Sequence, residues 1–157
     1  MNICLIGCGK MGSSLLEGWS YLKEIKHISV IEPNLAKIQK NNLNKKNFNF
    51  YQKLEEVDRN ILFDITILAV KPQLMGVVLE QLTTLNLRSN SWLTVAAGLT
   101  TKFYERILGN NEQIIRTIPN TPASVRKGVT AIHFNNNCGK NIMNASILVM
   151  QAVGEVV

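Results

Sequence analysis

Gly7-Cys8-Gly9-Lys10-Met11-Gly12 has the spacing G-x-G-x-x-G, and it stands between an apolar run, Asn2–Ile6, and a stretch with helical periodicity. Each glycine answers a physical demand. Gly7 permits a tight turn, Gly9 lets the backbone approach a diphosphate, and Gly12 lets the helix lie close to the strand. The helix that follows turns unpaired N–H groups and a partial positive charge toward the same place. The pattern therefore predicts dinucleotide binding, against a simpler reading as a Gly-rich packing turn. Glu32 lies 20 residues after Gly12. A carboxylate there accepts hydrogen bonds from the adenosine ribose and repels a 2′-phosphate, so it leans toward NADH over NADPH. The simpler alternative is an exposed loop acid.

Three further apolar segments end in small or polar residues: Ala69-Val70-Lys71-Pro72-Gln73, Val95-Ala96-Ala97-Gly98 and Pro119-Asn120-Thr121-Pro122. Ligands of open α/β sheets bind at the carboxyl ends of the strands, so the convergence of these loops says more than any one of them. Pro72 fixes a turn, Lys71 anchors that turn or faces an anion, and Asn120 offers both a donor and an acceptor. No nucleophile elbow, Cys/His pair or close carboxylate pair is present. That suits hydride transfer, in which a cofactor carries the chemistry and the protein orients it. His27 and His133 are far apart, and Cys4, Cys8 and Cys138 form no C-x-x-C pair. No metal site is expected, and the thiols are expected to be reduced.

The elements that must position these loops alternate between strand-like and helix-like. Strands are expected at Asn2–Ile6, Ile28–Ile31, Phe48–Tyr51, Asp64–Val70, Trp92–Ala97, Gln113–Ile118 and Val129–Phe134, with a strand-like start at Glu155–Val157. Helices are expected at 10–22, Leu35–Asn41 (with Asn34 as a possible cap), after Lys71-Pro72, at Thr101–Leu108 and at 141–153. In the helix after Pro72, Leu74, Val77, Val78, Leu82 and Leu85 are expected on one side. The polar stretch 41–49 reads as a loop. Alternation of this kind predicts an α/β fold: a Rossmann-type, doubly wound, mostly parallel sheet with helices on both faces, formed as one domain by residues 1–157. A length of 157 residues and 46% hydrophobic content suit one core. No apolar run is long enough to span a membrane, and the amino terminus lacks the features of a signal peptide, so a cytoplasmic protein is expected. The net charge of +6 is scattered among asparagines rather than gathered into a stripe with aromatics, so nucleic acid is not an expected partner.

At its loops the sequence resembles pyrroline-5-carboxylate reductases. The matching pieces are Ile6–Gly12, Leu68–Gln73, Val95–Thr100 and Ile114–Ala123, followed by Gly128-Val129-Thr130-Ala131. Such enzymes reduce the C=N bond of 1-pyrroline-5-carboxylate to give L-proline. By the resemblance, Ile6, Gly7, Cys8, Gly9, Lys10 and Met11 line the diphosphate. Ala69, Val70, Lys71, Pro72, Val95 and Ala97 line the nicotinamide ribose and ring, and Asn120 lies close to the reacting end. Two departures stand out. Family members often carry a small or hydroxyl residue near Glu32, compatible with NADPH. They also continue into a helical domain that forms a dimer and holds much of the imino-acid site. The chain is thus expected to bind NADH or NADPH, to lack the family's homo-oligomer contacts, standing as a monomer, and to turn over poorly alone. The alternatives are a similar first domain of another dehydrogenase, acting on hydroxy acids or a deazaflavin, or a dinucleotide-binding module without turnover.

Overall fold

The structure, a computed structural model, describes residues 1–38, 47–120 and 127–157. Among these described residues ten strands and four α-helices follow in the order β1 (Asn2–Ile6), α1 (Lys10–Trp19), β2 (His27–Ile31), β3 (Asn47–Tyr51), β4 (Leu62–Phe63), β5 (Ile65–Leu68), α2 (Pro72–Thr84), β6 (Arg88–Ser89), β7 (Trp92–Thr94), α3 (Thr101–Leu108), β8 (Ile114–Pro119), β9 (Gly128–Phe134), α4 (Lys140–Gln151) and β10 (Gly154–Val156). Eight strands form one sheet in the order β10-β9-β8-β7-β5-β1-β2-β3. Every neighbour is parallel except β8 and β9. The chain leaves β1 in one direction to build β2 and β3, then returns to the other side of β1 to build β5, β7 and β8. The switch between β1 and β5 is where doubly wound sheets open a crevice.

Strands buried on both faces explain the continuous apolar runs, since a parallel sheet is covered by helices on each side. Ile3, Leu5, Ile28, Val30, Ile65, Ile67, Leu93 and Ile115 face α1 and α4, while Cys4, Ile6, Leu68, Trp92 and Ile114 belong to the core beneath α2 and α3. α1 buries Leu15, Leu16 and Trp19. The Trp19 indole donates to the Val149 carbonyl at 2.9 Å, tying α1 to α4 across the outer layer. α2 starts with Pro72 in its first turn, where a missing N–H costs nothing. α3 is capped by Thr100, whose hydroxyl accepts from Phe103 N at 3.3 Å.

Several expectations need correction. The run Asp64–Val70 is shortened: β5 covers only Ile65–Leu68, and a further strand before it, β4, pairs with β6 in a separate two-stranded sheet. Asp64 sits between them because its carboxylate accepts from Asn2 N at 2.7 Å. β7 stops at Thr94, before the small residues. The helix expected at Leu35–Asn41 is one 3₁₀ turn at Leu35–Lys37, with 39–41 outside the described residues. Asn34 makes no side-chain cap; its N–H is held by Glu32 instead. The strand expected at Phe48–Tyr51 is present as β3 and starts one residue earlier, at Asn47, so the loop reading of 41–49 fails at 47–49; Phe48 and Phe50 stack with centroids 6.1 Å apart. On α2 the buried positions are Met75, Leu79 and Leu82, whereas Leu74 and Val77 are 54% and 59% exposed.

Candidate functional site

The carboxyl end of β1 turns through Gly7, whose φ of +89° lies in the left-handed region. A Cβ there would stand 2.7 Å from the Ala69 carbonyl oxygen, so only glycine lets the β1 and β5 turns touch. Gly9 is different. Its φ is −70°, and a Cβ would meet nothing within 4 Å. The protein tolerates a side chain at Gly9, so a need for glycine at that position arises only from something lying outside the protein. α1 begins directly after it, and the first amides of the helix have no acceptor within the helix.

Glu32, at the end of β2, holds this turn. One carboxylate oxygen accepts from Cys8 N at 2.8 Å and the other from Asn34 N at 3.0 Å. The acid therefore reaches across from β2 to the middle of the glycine turn, and it keeps lone pairs for further donors. The Cys8 side chain points the other way, 2% exposed, with Sγ 3.5 Å from Ser13 Oγ. Burial, with Glu32 adding to it, pushes the Cys8 thiol above its usual range, while the Ser13 contact partly offsets this. Cys8 contributes an amide to this site and its thiol to the core.

A cleft of about 860 Å³ opens over the β1–β5 switch, lined by Ile6, Gly7, Gly9, Ile31, Glu32, Pro33, Ala69, Val70 and Lys71 among others. Seven of the sequence candidates thus line one cleft: Ile6, Gly7, Gly9, Glu32, Ala69, Val70 and Lys71. Lys10 is exposed in the first turn of α1, and Met11 beside it is partly packed into the core. Gly12 is buried under Gly7. Pro72 is exposed, next to Lys71. Val95 and Ala97 lie one strand further, after β7, with Val95 packed against the core and Ala97 exposed. Asn120 lies after β8; its Oδ1 accepts from Val129 N at 2.9 Å, which closes the start of β9. Thr121, Pro122 and Ala123 lie outside the described residues. Among the described residues no His/Cys/Asp/Glu group could hold a metal, and no helix is long and apolar enough to cross a membrane.

The far end of the cleft escaped sequence reading. Gln52, Lys53, Leu54 and Glu55 line it from the segment after β3, and Leu74, Val78 and Gln81 line it from α2. The signal available was the excess apolar surface of α2, which carries Leu74 outside its buried stripe. An apolar wall rimmed by amides and charges suits a planar base with polar edges.

Comparison with known proteins gives a consistent picture. The family model described as "NADP oxidoreductase coenzyme F420-dependent" matches residues 2–98. The chain is 29% identical to a pyrroline-5-carboxylate reductase of Pasteurella multocida, over 98% of this chain and 56% of the relative. It is 33% identical to that of Escherichia coli, over 83% of this chain and 48% of the relative. A solved pyrroline-5-carboxylate reductase from Coxiella burnetii superposes with a TM-score of 0.86 at 30% identity, over 99% of this chain and 57% of that one. The chain spans about half the length of the curated relatives it matches. These relatives carry the same family name that the loop motifs suggested.

Proposed function

The chain belongs to the NADP oxidoreductase, coenzyme F420-dependent family, and from that premise we propose that it is the cofactor-holding domain of an NAD(P)H-dependent reductase acting on the C=N bond of 1-pyrroline-5-carboxylate. The observation that carries the dinucleotide half of this reading is the cleft itself: open space over Gly9, the free end of α1, and Glu32 poised beside them. The substrate half rests on the relatives of that name, which match through nearly the whole chain.

By this reading the first amides of α1 and the Gly7–Met11 backbone hold a diphosphate by hydrogen bonds and helix charge. Glu32 accepts from the adenosine ribose hydroxyls and disfavours a 2′-phosphate, so NADH is preferred. The Leu54, Leu74 and Val78 wall takes the adenine. Ala69, Val70, Val95 and Ala97 leave room for the nicotinamide ribose and ring. A reduced nicotinamide held there would supply the hydride for the imine carbon, and a proton on the imine nitrogen would complete the amine. Residues 1–157 then act as one domain working in the cytoplasm on a small imino acid, with the groups that bind the substrate carboxylate and the dimer contacts provided outside it.

Two measurements test this. Nicotinamide fluorescence titration of the chain should show saturable binding of NADH. A chimaera carrying this chain in place of the matching portion of the Escherichia coli reductase should oxidise the cofactor only when pyrroline-5-carboxylate is present. A folded chimaera that binds cofactor and shows no such oxidation would refute the substrate assignment.

A further inference from the structure

We propose that Thr94, though buried and out of reach of any ligand, is a positioning residue: with Tyr104 it holds the turn 95–98 as a fixed ledge under the nicotinamide end of the cofactor. The inference rests on the dinucleotide reading above and adds to it the parts that make one of its loops rigid.

Thr94 is the last residue of β7 and is 1% exposed in a strand whose neighbours Trp92 and Leu93 are apolar. A valine would fit that environment without leaving a hydroxyl to satisfy. Two contacts of the Thr94 hydroxyl and one of its backbone carbonyl converge on the turn. Its Oγ1 accepts from Ala96 N at 3.1 Å, two residues ahead, which bends the chain out of the sheet. The same oxygen lies 2.8 Å from the Tyr104 hydroxyl, which is fully buried in α3. From the next strand, Thr117 Oγ1 donates to the Thr94 carbonyl at 2.9 Å. A hydroxyl oxygen has two lone pairs. Ala96 N–H fills one, and the Tyr104 hydroxyl is placed to fill the other. Arg116 is the register partner of Thr94 on β8, and its positive charge acts on the Tyr104 hydroxyl oxygen.

The result is a link running from the interior of α3 to the backbone of the turn. Beyond it, Ala97 and Gly98 are exposed. Gly98 has φ +82° and nothing within 4 Å of where its Cβ would lie. The turn is therefore anchored on its inner side and open on its outer side. In the sheet β7 is the next strand after β5, whose end carries Ala69 and Val70, and neighbouring strands lie about 4.8 Å apart. A cofactor laid from the glycine turn across β5 reaches this ledge with its nicotinamide half, while its adenosine half stays over β2 and never meets it.

That asymmetry gives the test. NADH and ADP-ribose, which lacks the nicotinamide, are titrated against the wild-type chain and three variants. Thr94→Val should weaken NADH by about fivefold, the equivalent of one lost hydrogen bond, and leave ADP-ribose within about twofold. Tyr104→Phe should move NADH in the same direction by a smaller factor. Thr94→Ser, which keeps the oxygen, should restore wild-type affinity. Hydrogen exchange of the Ala96 amide should quicken in Thr94→Val and not in Thr94→Ser. If NADH and ADP-ribose weaken together, Thr94 serves only the fold and the proposal fails; it fails equally if neither moves in folded variants. Should Thr94→Val not fold, an unchanged NADH-to-ADP-ribose ratio in Tyr104→Phe overturns it. A wild-type chain that binds neither ligand overturns the dinucleotide reading itself, a separate result.

Discussion

Replacing Glu32 by glutamine changes one charge and almost no volume, at the residue that joins β2 to the glycine turn. The carboxylate receives Cys8 N at 2.8 Å on one oxygen and Asn34 N at 3.0 Å on the other. A glutamine keeps one acceptor and loses the other, so one backbone N–H is left to water and the turn loosens slightly, by about 1 kcal/mol. The effect on cofactor choice is larger. With a 2′-phosphate about 6 Å from the carboxylate, the repulsion per unit charge is about 0.7 kcal/mol at a dielectric constant of about 80 and about 2.8 kcal/mol at about 20. Glu32 is half-buried at the rim of the cleft, between those limits. A penalty of about 1–3 kcal/mol corresponds to a fivefold to hundredfold preference for NADH. Glu32→Gln should cut that preference at least fivefold, mainly by tighter NADPH binding, and added salt should narrow the wild-type gap. Parallel titrations of both cofactors at low and physiological ionic strength measure it. A wild type that prefers NADPH tenfold, or a ratio that Glu32→Gln does not change, refutes the argument. Lys53 and Lys71, which also line the cleft, would then be the charges to replace next.

Gly9→Val should leave thermal stability unchanged, because nothing lies within 4 Å of the new Cβ, yet weaken NADH at least tenfold by occupying the diphosphate's place. Gly7→Ala should do the reverse in order of severity: with φ +89° and the Ala69 carbonyl in the way, it should lower unfolding free energy by about 1–3 kcal/mol in a urea titration. Burial raises the Cys4, Cys8 and Cys138 thiols above their usual values. The folded values lie above the unfolded ones, so this contribution to stability is full below about pH 8.5 and falls as pH rises beyond it. Alkylation by iodoacetamide at pH 8 should accordingly be slow in the native chain and fast in urea; equal rates would mean that the thiols are not held in the core.

What could be read in advance, and what could not, divides along a physical line. The G-x-G-x-x-G spacing, the apolar strands and the small residues at their ends were legible because each is a local demand: a turn, a two-faced buried strand, a close approach. The division of 62–68 into β4 and β5 was not, because it depends on Asp64 reaching back to Asn2, 62 positions earlier. The outer wall of the cleft was hidden for a related reason. Leu74 has the same chemistry as a core leucine, and only the tilt of α2 decides that Met75 is buried and Leu74 exposed. Glu32 shows both sides at once. Its position after β2 makes it a candidate ribose acceptor, but nothing local in the sequence hints that it also clamps the Cys8 amide. If the turn holds a diphosphate as proposed, that second contact matters for function, since it fixes the glycine turn before any ligand arrives. The cost of ordering the turn is then met in folding rather than in binding, which is how a preformed site gains affinity.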